Sequence, residues 1–444
     1  MNGLARVAGA ALAALEQAPH GERGALLTSL RHAAAARVRG QGLPTIAQEE
    51  WKYTSLAALD SASLRAAQSD DGAAVSVQQF AALDLSTASP LRVVLVNGRL
   101  RADLSTLKTL PRGLRVESIA ALANSDPERL AGLVTADAGS GSTMHALNTA
   151  LLGDGVLIET DAQVRIRETL HLIIINSEGG LLLNPRVLLR VARDSELRLV
   201  EEYVSVGPAA GLTNSVCEIV LASGATLFHH RLQTEALTSN HVGRVAVMVG
   251  EHANYVSDSL AFGGQLTRID IDVALAGRGA RCRLHGLFVA DGAQHIDHHT
   301  RVDHLVGDTH SVELYRGILD GRSRGVFNGK VIVARDAQQI SAQQTSNNLL
   351  LSRQAEIDTK PELEIYADDV SCTHGATVGE LDGSALFYLR SRGIAEKAAR
   401  ALLTYAFAQK IVDDIPLPGV RRWLENRFLG HTDSSQLQSA LSQP

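Results

Sequence analysis

The sequence of residues 216–249 contains three short runs that favour β-strands: Val216-Cys-Glu-Ile-Val220, Ala225-Thr-Leu-Phe228 and Val245-Ala-Val-Met-Val249. Similar runs begin near residue 155 and continue to about residue 370, with Gly, Asn and Asp between them. This spacing is typical of a sandwich, a barrel or a β-solenoid. No helical pattern of useful length interrupts roughly 220 residues, far more than one sandwich normally holds. We therefore predict a mainly β fold built as a stacked β-solenoid.

Helical patterns flank this β-rich region on both sides. Ala, Leu and Arg recur at helical spacing near the N-terminus, and a mixed stretch with one clear strand, Leu91–Val96, follows. Helical spacing returns after residue 382 and ends near Pro416 and Pro418. The predicted regions are an N-terminal helical and mixed region at 1–145, a β core at 146–381, a C-terminal helical region at 382–430 and a disordered tail at 431–444.

Composition excludes several classes of function. A formal net charge of -6, with no basic patch, argues against binding to nucleic acid. No stretch approaches the roughly 20 apolar residues of a membrane helix. The three cysteines are far apart and lack a C-x-x-C pair, so a reducing cytoplasm fits better than a disulfide framework. No glycine-rich phosphate loop is present, so we expect that the chain itself does not bind ATP.

A thiol and an imidazole lie two residues apart in the extended stretch Val370–Gly379. If this stretch is a strand, Cys372 and His374 leave the same face, together with Val370 and Ala376. A sulfur and a nitrogen ligand suit iron or zinc, but two ligands do not complete a tetrahedral site. We predict that these two residues are metal ligands and that a second chain supplies the rest; a buried strand end with no ligand role is the alternative.

The other two cysteines have a simpler interpretation. Cys217 alternates in phase with Ile219 and Leu221, and Cys282 alternates with Leu284 and Phe288. Free cysteine is among the residues most often buried. We predict inert core positions for Cys217 and Cys282, with sulfur transport inside the solenoid as the alternative.

A histidine-rich run occupies residues 295–304, His-Ile-Asp-His-His-Thr-Arg-Val-Asp-His. Strand alternation places His298 and His304 on a mainly apolar inward face. There they would form a buried hydrogen-bonded ladder or line a polar channel, and a metal site is the less favoured interpretation. The alternate set is His295, Asp297, His299, Arg301 and Asp303, which we predict to be a solvated face.

Motifs along nearly the whole chain resemble the SufB/SufD family of the SUF iron–sulfur cluster assembly scaffold. The triplet His374-Gly-Ala376 favours the SufD branch, because SufB-type chains typically carry His-Glu-Ala there. The matching motifs are Glu49-Glu-Trp-Lys-Tyr-Thr54, Val96-Asn-Gly98, His145-Ala-Leu-Asn148 with Gly155, Asp297-His-His-Thr300, Tyr315-Arg-Gly-Ile-Leu319, Gly325-Val-Phe-Asn-Gly-Lys330, Gln343-Gln-Thr-Ser-Asn-Asn-Leu-Leu-Leu351, Asp358-Thr-Lys-Pro-Glu-Leu-Glu364, Cys372-Thr-His-Gly-Ala-Thr377 and Leu386-Phe-Tyr-Leu-Arg-Ser-Arg-Gly393.

This resemblance implies a central right-handed parallel β-helix with helical regions at both ends. It implies a non-catalytic scaffold subunit that pairs with SufB through the ends of the two β-helices, while the C-terminal helices dock a SufC ATPase. A transient iron–sulfur cluster would form at the SufB interface, where His374 matches the family's histidine and Cys372 is a candidate ligand. The resemblance also allows a homodimer in isolation and a reduced flavin on the complex, which no residue of this sequence locates.

Two alternatives stay open at this point. One is a SufB-like homodimeric scaffold. The other, from a different class, is a β-helix polysaccharide lyase or hydrolase, although such enzymes need convergent carboxylates or a calcium site.

Overall fold

The computed structural model describes residues 3–17, 25–59, 63–67, 71, 75–85, 89–130, 133–134, 142–207 and 210–429. The predicted disordered tail at 431–444 lies outside these residues. Within them, no helix combines the length and the apolar character needed to cross a membrane.

Helices occupy the two ends of the chain, and strands occupy its centre. The α-helices are α1 Gly3–Gln17, α2 Ala25–Gln41, α3 Val77–Ala81, α4 Ile119–Ser125, α5 Thr143–Ala150, α6 Gly383–Ser391, α7 Glu396–Asp414 and α8 Pro418–Leu429. Short 3-10 helices lie at Glu49–Trp51, Ala57–Leu59, Leu107–Thr109 and Pro127–Leu130. The helices predicted near both ends are therefore present.

The strands are β1 Arg65–Ala66, β2 Leu91–Val96, β3 Arg99–Leu100, β4 Leu114–Ser118, β5 Val156–Thr160, β6 Leu170–Asn176, β7 Leu181–Leu183, β8 Arg186–Val191, β9 Glu196–Ser205, β10 Leu212–Leu221, β11 Thr226–Gln233, β12 Asn240–Val249, β13 Asn254–Ala261, β14 Leu266–Leu275, β15 Arg281–Ala290, β16 His295–His304, β17 His310–Leu319, β18 Arg324–Val333, β19 Ile340–Leu350, β20 Glu356–Ile365 and β21 Val370–Gly379.

From β8 onward the chain alternates between two parallel sheets. The even-numbered strands β8 to β20 lie in one sheet and the odd-numbered strands β9 to β21 lie in the other, so each strand from β10 to β19 pairs with the strands two before and two after it. The chain therefore winds as a β-solenoid of about 8 turns. This confirms the predicted parallel β-helix between helical ends.

The core of the solenoid follows from the period-two pattern of its strands. Val245, Val247 and Val249 of β12 lie in register with Ile271, Val273 and Leu275 of β14, and all six side chains are buried in one cluster. Full burial of one such side chain contributes about 1.5–3 kcal/mol. Stacked rows of this kind hold successive turns together.

The turns between the sheets account for the Gly and Asp residues between the strands. Asp194 and Asp308 have φ angles of 56° and 59°, and Gly224 and Gly279 have φ angles of 70° at corresponding turns. This left-handed region favours Gly and tolerates Asp and Asn. The turn residues thus allow the chain to pass from one sheet to the other in each coil.

The two ends of the solenoid differ. At the N-terminal end, β4 pairs antiparallel with β5, and α1, α2 and α5 belong to a buried cluster that includes Leu182, Leu212, Val242 and Leu266 from the solenoid. At the other end, β20 pairs with β18 and β21 pairs with β19, and the described residues supply no further neighbour to either strand. We call β20 and β21 the open edge.

The C-terminal helices pack against the side of the solenoid near this open edge. Ile411 and Val412 of α7 share a buried cluster with Leu287 of β15 and Ile318 of β17. The Arg316 guanidinium also lies 4.8 Å from the Phe407 ring centroid. The helical region is therefore fixed to the turns that precede the open edge.

Candidate functional site: the open edge of the solenoid

The open edge carries both predicted ligand residues. On β21, Cys372 lies in register with Ala342 of β19, and His374 lies in register with Gln344. Ala342 and Gln344 are buried and face the interior of the solenoid. Because parallel in-register strands repeat their side-chain directions, Cys372 and His374 continue these inward rows. His374 is exposed, and no further coil among the described residues covers this face.

Cys372 is only half-buried and belongs to the border of the main core. Together with Val370 it packs against the buried cluster that fills the solenoid. This partial burial raises the pKa of the Cys372 thiol, although a hydrogen bond with the Ala342 backbone opposes the shift. The free thiol is therefore protonated at neutral pH, and a bound metal ion would have to displace its proton.

A row of buried polar groups lies directly behind His374. Gln344 donates from Nε2 to Glu313 Oε1 at 3.2 Å, and both side chains are buried. Burial raises the pKa of Glu313 to about 7. Since neighbouring strands are about 4.8 Å apart, this carboxyl group belongs to a strand about 10 Å from β21. The inward face behind His374 therefore includes a group that can exchange a proton near neutral pH.

Apolar side chains are exposed beside the unpaired strand edges. Ile365, at the end of β20, is 40% exposed, the following Tyr366 is 60% exposed, and Val378 on β21 is 51% exposed. Unpaired strand edges are sites of pairing with another chain unless they are protected. Exposed apolar side chains at the same place are typical of protein–protein interfaces. The open edge thus has the properties of a subunit interface.

His298 and His304 lie inside the solenoid, as predicted. His298 stacks on Phe288 with 5.3 Å between the ring centroids, and its Nε2 lies 3.3 Å from Ser259 Oγ. The two nitrogens of His304 lie 2.8 Å from Thr309 Oγ1 and 3.0 Å from Ser311 Oγ. Burial lowers the pKa of His298 to about 3 and the pKa of His304 to about 4. Both rings are neutral, hydrogen-bonded interior groups.

The prediction that one face of β16 is solvated is wrong for two of its residues. Asp297 is fully buried, and His299 is only 8% exposed. The N-terminal segment 49–54 covers them: Thr54 donates a hydrogen bond to Asp297 Oδ2 at 2.5 Å, and its Oγ1 lies 2.9 Å from His295 Nε2. Strand alternation alone does not detect a cover supplied from so far away along the chain.

Arg268 fixes this N-terminal segment to the solenoid. Its guanidinium lies 4.0 Å from the centroid of the buried Trp51 ring and donates to the Glu50 carbonyl at 2.7 Å. The same group lies 3.2 Å from Asp297. Lys360 of β20 adds an ion pair with Glu49 at 2.6 Å. We call residues 49–54 and these contacts the Trp51 clamp, which connects the N-terminal region to the open edge.

We predict that the Trp51 clamp weakens as pH rises from about 6.5 to about 9. Burial lowers the pKa of His299, but Asp297, 3.0 Å away, and Glu50, 3.8 Å away, together outweigh burial and raise the pKa to about 9. A raised pKa adds stability that is full below the unfolded-state pKa and is lost as pH rises through the folded-state value. One pKa unit corresponds to about 1.4 kcal/mol, so the free energy of unfolding should fall by up to about 3 kcal/mol over this pH range.

The measurement is the thermal unfolding midpoint between pH 6 and pH 10, compared for the wild type and His299→Gln. The wild type should lose more stability over this range, because glutamine does not titrate. Parallel pH curves for the two proteins would contradict the assigned role of the His299–Asp297 pair.

The fully buried charged groups of the interior were not predicted. Glu201 and Arg231 lie on β9 and β11, and the ligand atoms of Glu201, Cys217 and His229 lie within 4.8 Å of one another. Cys217 and Cys282 are buried in the main core as predicted. A signal for the charged groups existed: Glu201 alternates in phase with Leu197 and Leu199, which places it on the inward face.

Two family descriptions match adjoining parts of the chain. The family described as "SUF system FeS cluster assembly, SufBD core domain" matches residues 173–407. The one described as "SufBD protein N-terminal region" matches residues 16–172. The first match runs from within β6 through β21 and α6 and ends within α7.

Individual relatives agree with this result. An iron–sulfur cluster assembly SufBD family protein of Synechocystis sp. is 30% identical over 413 residues, covering 90% of this chain and 90% of the relative. The iron–sulfur cluster assembly protein SufD of Escherichia coli is 32% identical over 384 residues, covering 86% of this chain and 87% of the relative. The SufD protein of Bacillus subtilis is 26% identical over 283 residues, covering 63% of this chain and 65% of the relative.

Proposed function

The chain belongs to the SufBD family of iron–sulfur cluster assembly proteins, and from this premise we propose that it is a SufD-type scaffold subunit. It pairs with a SufB partner through the open edge, and the nascent cluster forms at the junction of the two chains. The subunit itself is non-catalytic. The family assignment leaves the alternative of a polysaccharide lyase or hydrolase without support.

The observation that carries this proposal is the position of His374. It is an exposed imidazole on a strand with one unpaired edge, in the row that continues a buried inward face. A ligand at a free edge serves a site that a second chain completes. Incomplete ligation by either chain also suits a scaffold, because a cluster held by fewer protein ligands is easier to release than one held by four cysteines.

The two residues have different roles in the proposed site. His374 supplies an imidazole nitrogen to iron from an exposed position that needs no rearrangement of the fold. Cys372 is the candidate sulfur ligand, and its half-buried, protonated thiol ligates only after losing a proton. The cluster is the cargo of this site, and the partner SufB chain supplies its remaining ligands.

The C-terminal helices are the proposed docking site for a SufC ATPase. α6 exposes Phe387 and Tyr388, which are 74% and 56% exposed. Through α7, this region packs on β15 and β17, the turns next to the open edge. ATP hydrolysis belongs to SufC in this proposal, and a reduced flavin on the complex stays a prediction without an assigned site.

The proposed function is tested by co-expressing the full chain with the SufB and SufC proteins of the same organism. The expected result is a stable complex that gains iron and acid-labile sulfide on anaerobic reconstitution, while the isolated chain gains little of either. Failure to associate with SufB would overturn the proposal. Efficient cluster assembly by the isolated chain as a homodimer would instead support the SufB-like alternative.

A second expectation concerns the coupling of ATP hydrolysis to the open edge. We expect SufC to reorient α6 and α7, which follow β21 directly in the chain. This motion would expose the face of β21 that carries Cys372 and His374 and that SufB covers in the proposed complex. The rate of maleimide labelling at Cys372 in the assembled complex should therefore rise several-fold with ATP.

Site-resolved mass spectrometry measures this rate, with Cys217 and Cys282 as buried internal controls. The comparison is a complex whose SufC cannot hydrolyse ATP. Equal labelling of Cys372 with and without ATP would show that the coupling is wrong.

A further inference from the structure

Three side chains with ligand atoms meet inside the solenoid, away from the open edge. Glu201 projects from β9 and His229 from β11 of one sheet, and Cys217 projects from β10 of the other sheet. All three are at most 1% exposed. One carboxylate oxygen, one ring nitrogen and the thiol sulfur lie within 4.8 Å of one another. Among the described residues, this is the one group of at least three such ligand types.

Neighbouring groups orient two of these side chains from behind. The Tyr203 hydroxyl donates to Glu201 Oε1, and Arg231 Nε lies 3.6 Å from the same oxygen. The Tyr255 hydroxyl lies 3.1 Å from His229 Nδ1. Glu201 Oε2 and His229 Nε2 form a hydrogen bond of 2.8 Å, which a metal ion bound to both atoms would replace. Outer partners that fix the second atom of each ligand are a general feature of metal sites in proteins.

A second group of buried polar residues adjoins the three ligand residues. His241 lies 2.7 Å from both Arg231 and Glu235, and Arg231 Nε lies 3.6 Å from Glu201 Oε1. These contacts hold the groups around the cluster in fixed positions.

We propose that Glu201, Cys217 and His229 bind a divalent transition-metal ion of the zinc or ferrous class inside the solenoid. The bonds formed are from the metal to the carboxylate oxygen, the imidazole nitrogen and the sulfur. The Cys217 S–H bond breaks, its proton passes to water, and no electron is transferred. Sulfur, nitrogen and oxygen together suit these ions, and three protein ligands leave a fourth position for water.

Such an ion is a resident of the fold and not the cargo of the open edge. It joins β9, β10 and β11, and therefore both sheets, across the core. Because the three residues are fully buried, the ion enters while the chain folds. The metal site goes beyond the proposed scaffold function, and neither depends on the other.

Cobalt is the probe, because a cobalt–thiolate bond has its own absorption band. The full chain is expressed in cobalt-supplemented medium in a Cys372→Ser background, which removes the half-buried thiol of the open edge. We expect roughly one cobalt per chain together with a thiolate-to-cobalt charge-transfer band. Cys217→Ser should lose the band and retain at least tenfold less cobalt, since even outer-shell changes weaken metal binding about 10–100-fold.

Cys282→Ser is the matched control, since Cys282 is a buried cysteine in the same core cluster. It should keep both the cobalt and the band. The proposal is overturned if the Cys372→Ser chain binds no cobalt, or if Cys217→Ser keeps the band. If Cys217→Ser does not fold, His229→Gln takes its place and should lose cobalt at least tenfold. Because no partner chain is present, this result is independent of any test of cluster assembly.

Discussion

Replacing His374 with alanine is expected to leave the complex with SufB and SufC intact and to lower its iron and sulfide content by at least about tenfold. His374 is exposed on an edge strand, and substitutions at such positions usually change stability by no more than about 0.5 kcal/mol. Loss of an outer-shell partner weakens metal binding about 10–100-fold, and loss of a metal ligand should weaken it further. Function should therefore fall while the fold and the assembly persist.

Thr373→Ala is the matched control. Thr373 is also exposed and lies next to His374 on the same strand, but its side chain leaves the opposite face. Iron and acid-labile sulfide are measured per complex after anaerobic reconstitution, with size-exclusion chromatography to verify the assembly. Equal iron in the wild type and His374→Ala would leave the chain as a purely structural partner of SufB.

Local periodicity was sufficient to predict the solenoid and its buried cysteines. Alternation of apolar residues in runs such as 245–249 reflects the two faces of a strand, which short-range sequence records directly. The same alternation placed Cys217 and Cys282 in the core, where both are found. These features depend on neighbours within a strand, so the sequence alone determines them.

The contacts of the Trp51 clamp could not be predicted from local periodicity. Thr54 and Asp297 are 243 residues apart in sequence, yet they share a hydrogen bond that turns a charged strand face into a buried one. The motif Glu49–Thr54 was recognisable as a family feature, but its contacts with β14 and β16 depend on the completed fold. Long-range packing of this kind leaves no periodic signal in either segment.

The site was predictable in part for the same reason. Alternation placed Cys372 and His374 on one face of a strand. Alternation alone could not show that β20 and β21 each have a neighbour on one side only among the described residues. The interior group around Glu201 was missed because each of its three residues lies on a different strand. Only the winding of the chain brings them together.

Replacing Val378 with aspartate is expected to abolish stable association with the SufB partner. Val378 lies on β21 in the inward row of His374 and is 51% exposed in this chain. The isolated subunit should tolerate the change, because the new carboxylate is accessible to water. In the proposed interface the same carboxylate is buried without a partner, which costs about 3–5 kcal/mol. At about 1.4 kcal/mol per factor of ten, affinity should fall at least a hundredfold.

Val312→Asp is the matched control for the same type of substitution. Val312 is 41% exposed and lies on the outer face of the sheet, on β17. In this sheet β19 separates β17 from the edge strand β21. Analytical ultracentrifugation of each variant mixed with SufB measures the dissociation constant, and thermal unfolding of the isolated chains measures any loss of stability. If the open edge is the interface, Val378→Asp weakens the complex while Val312→Asp does not. If both variants bind SufB as tightly as the wild type, the partner binds elsewhere, and His374 cannot be a ligand at the junction of the two chains.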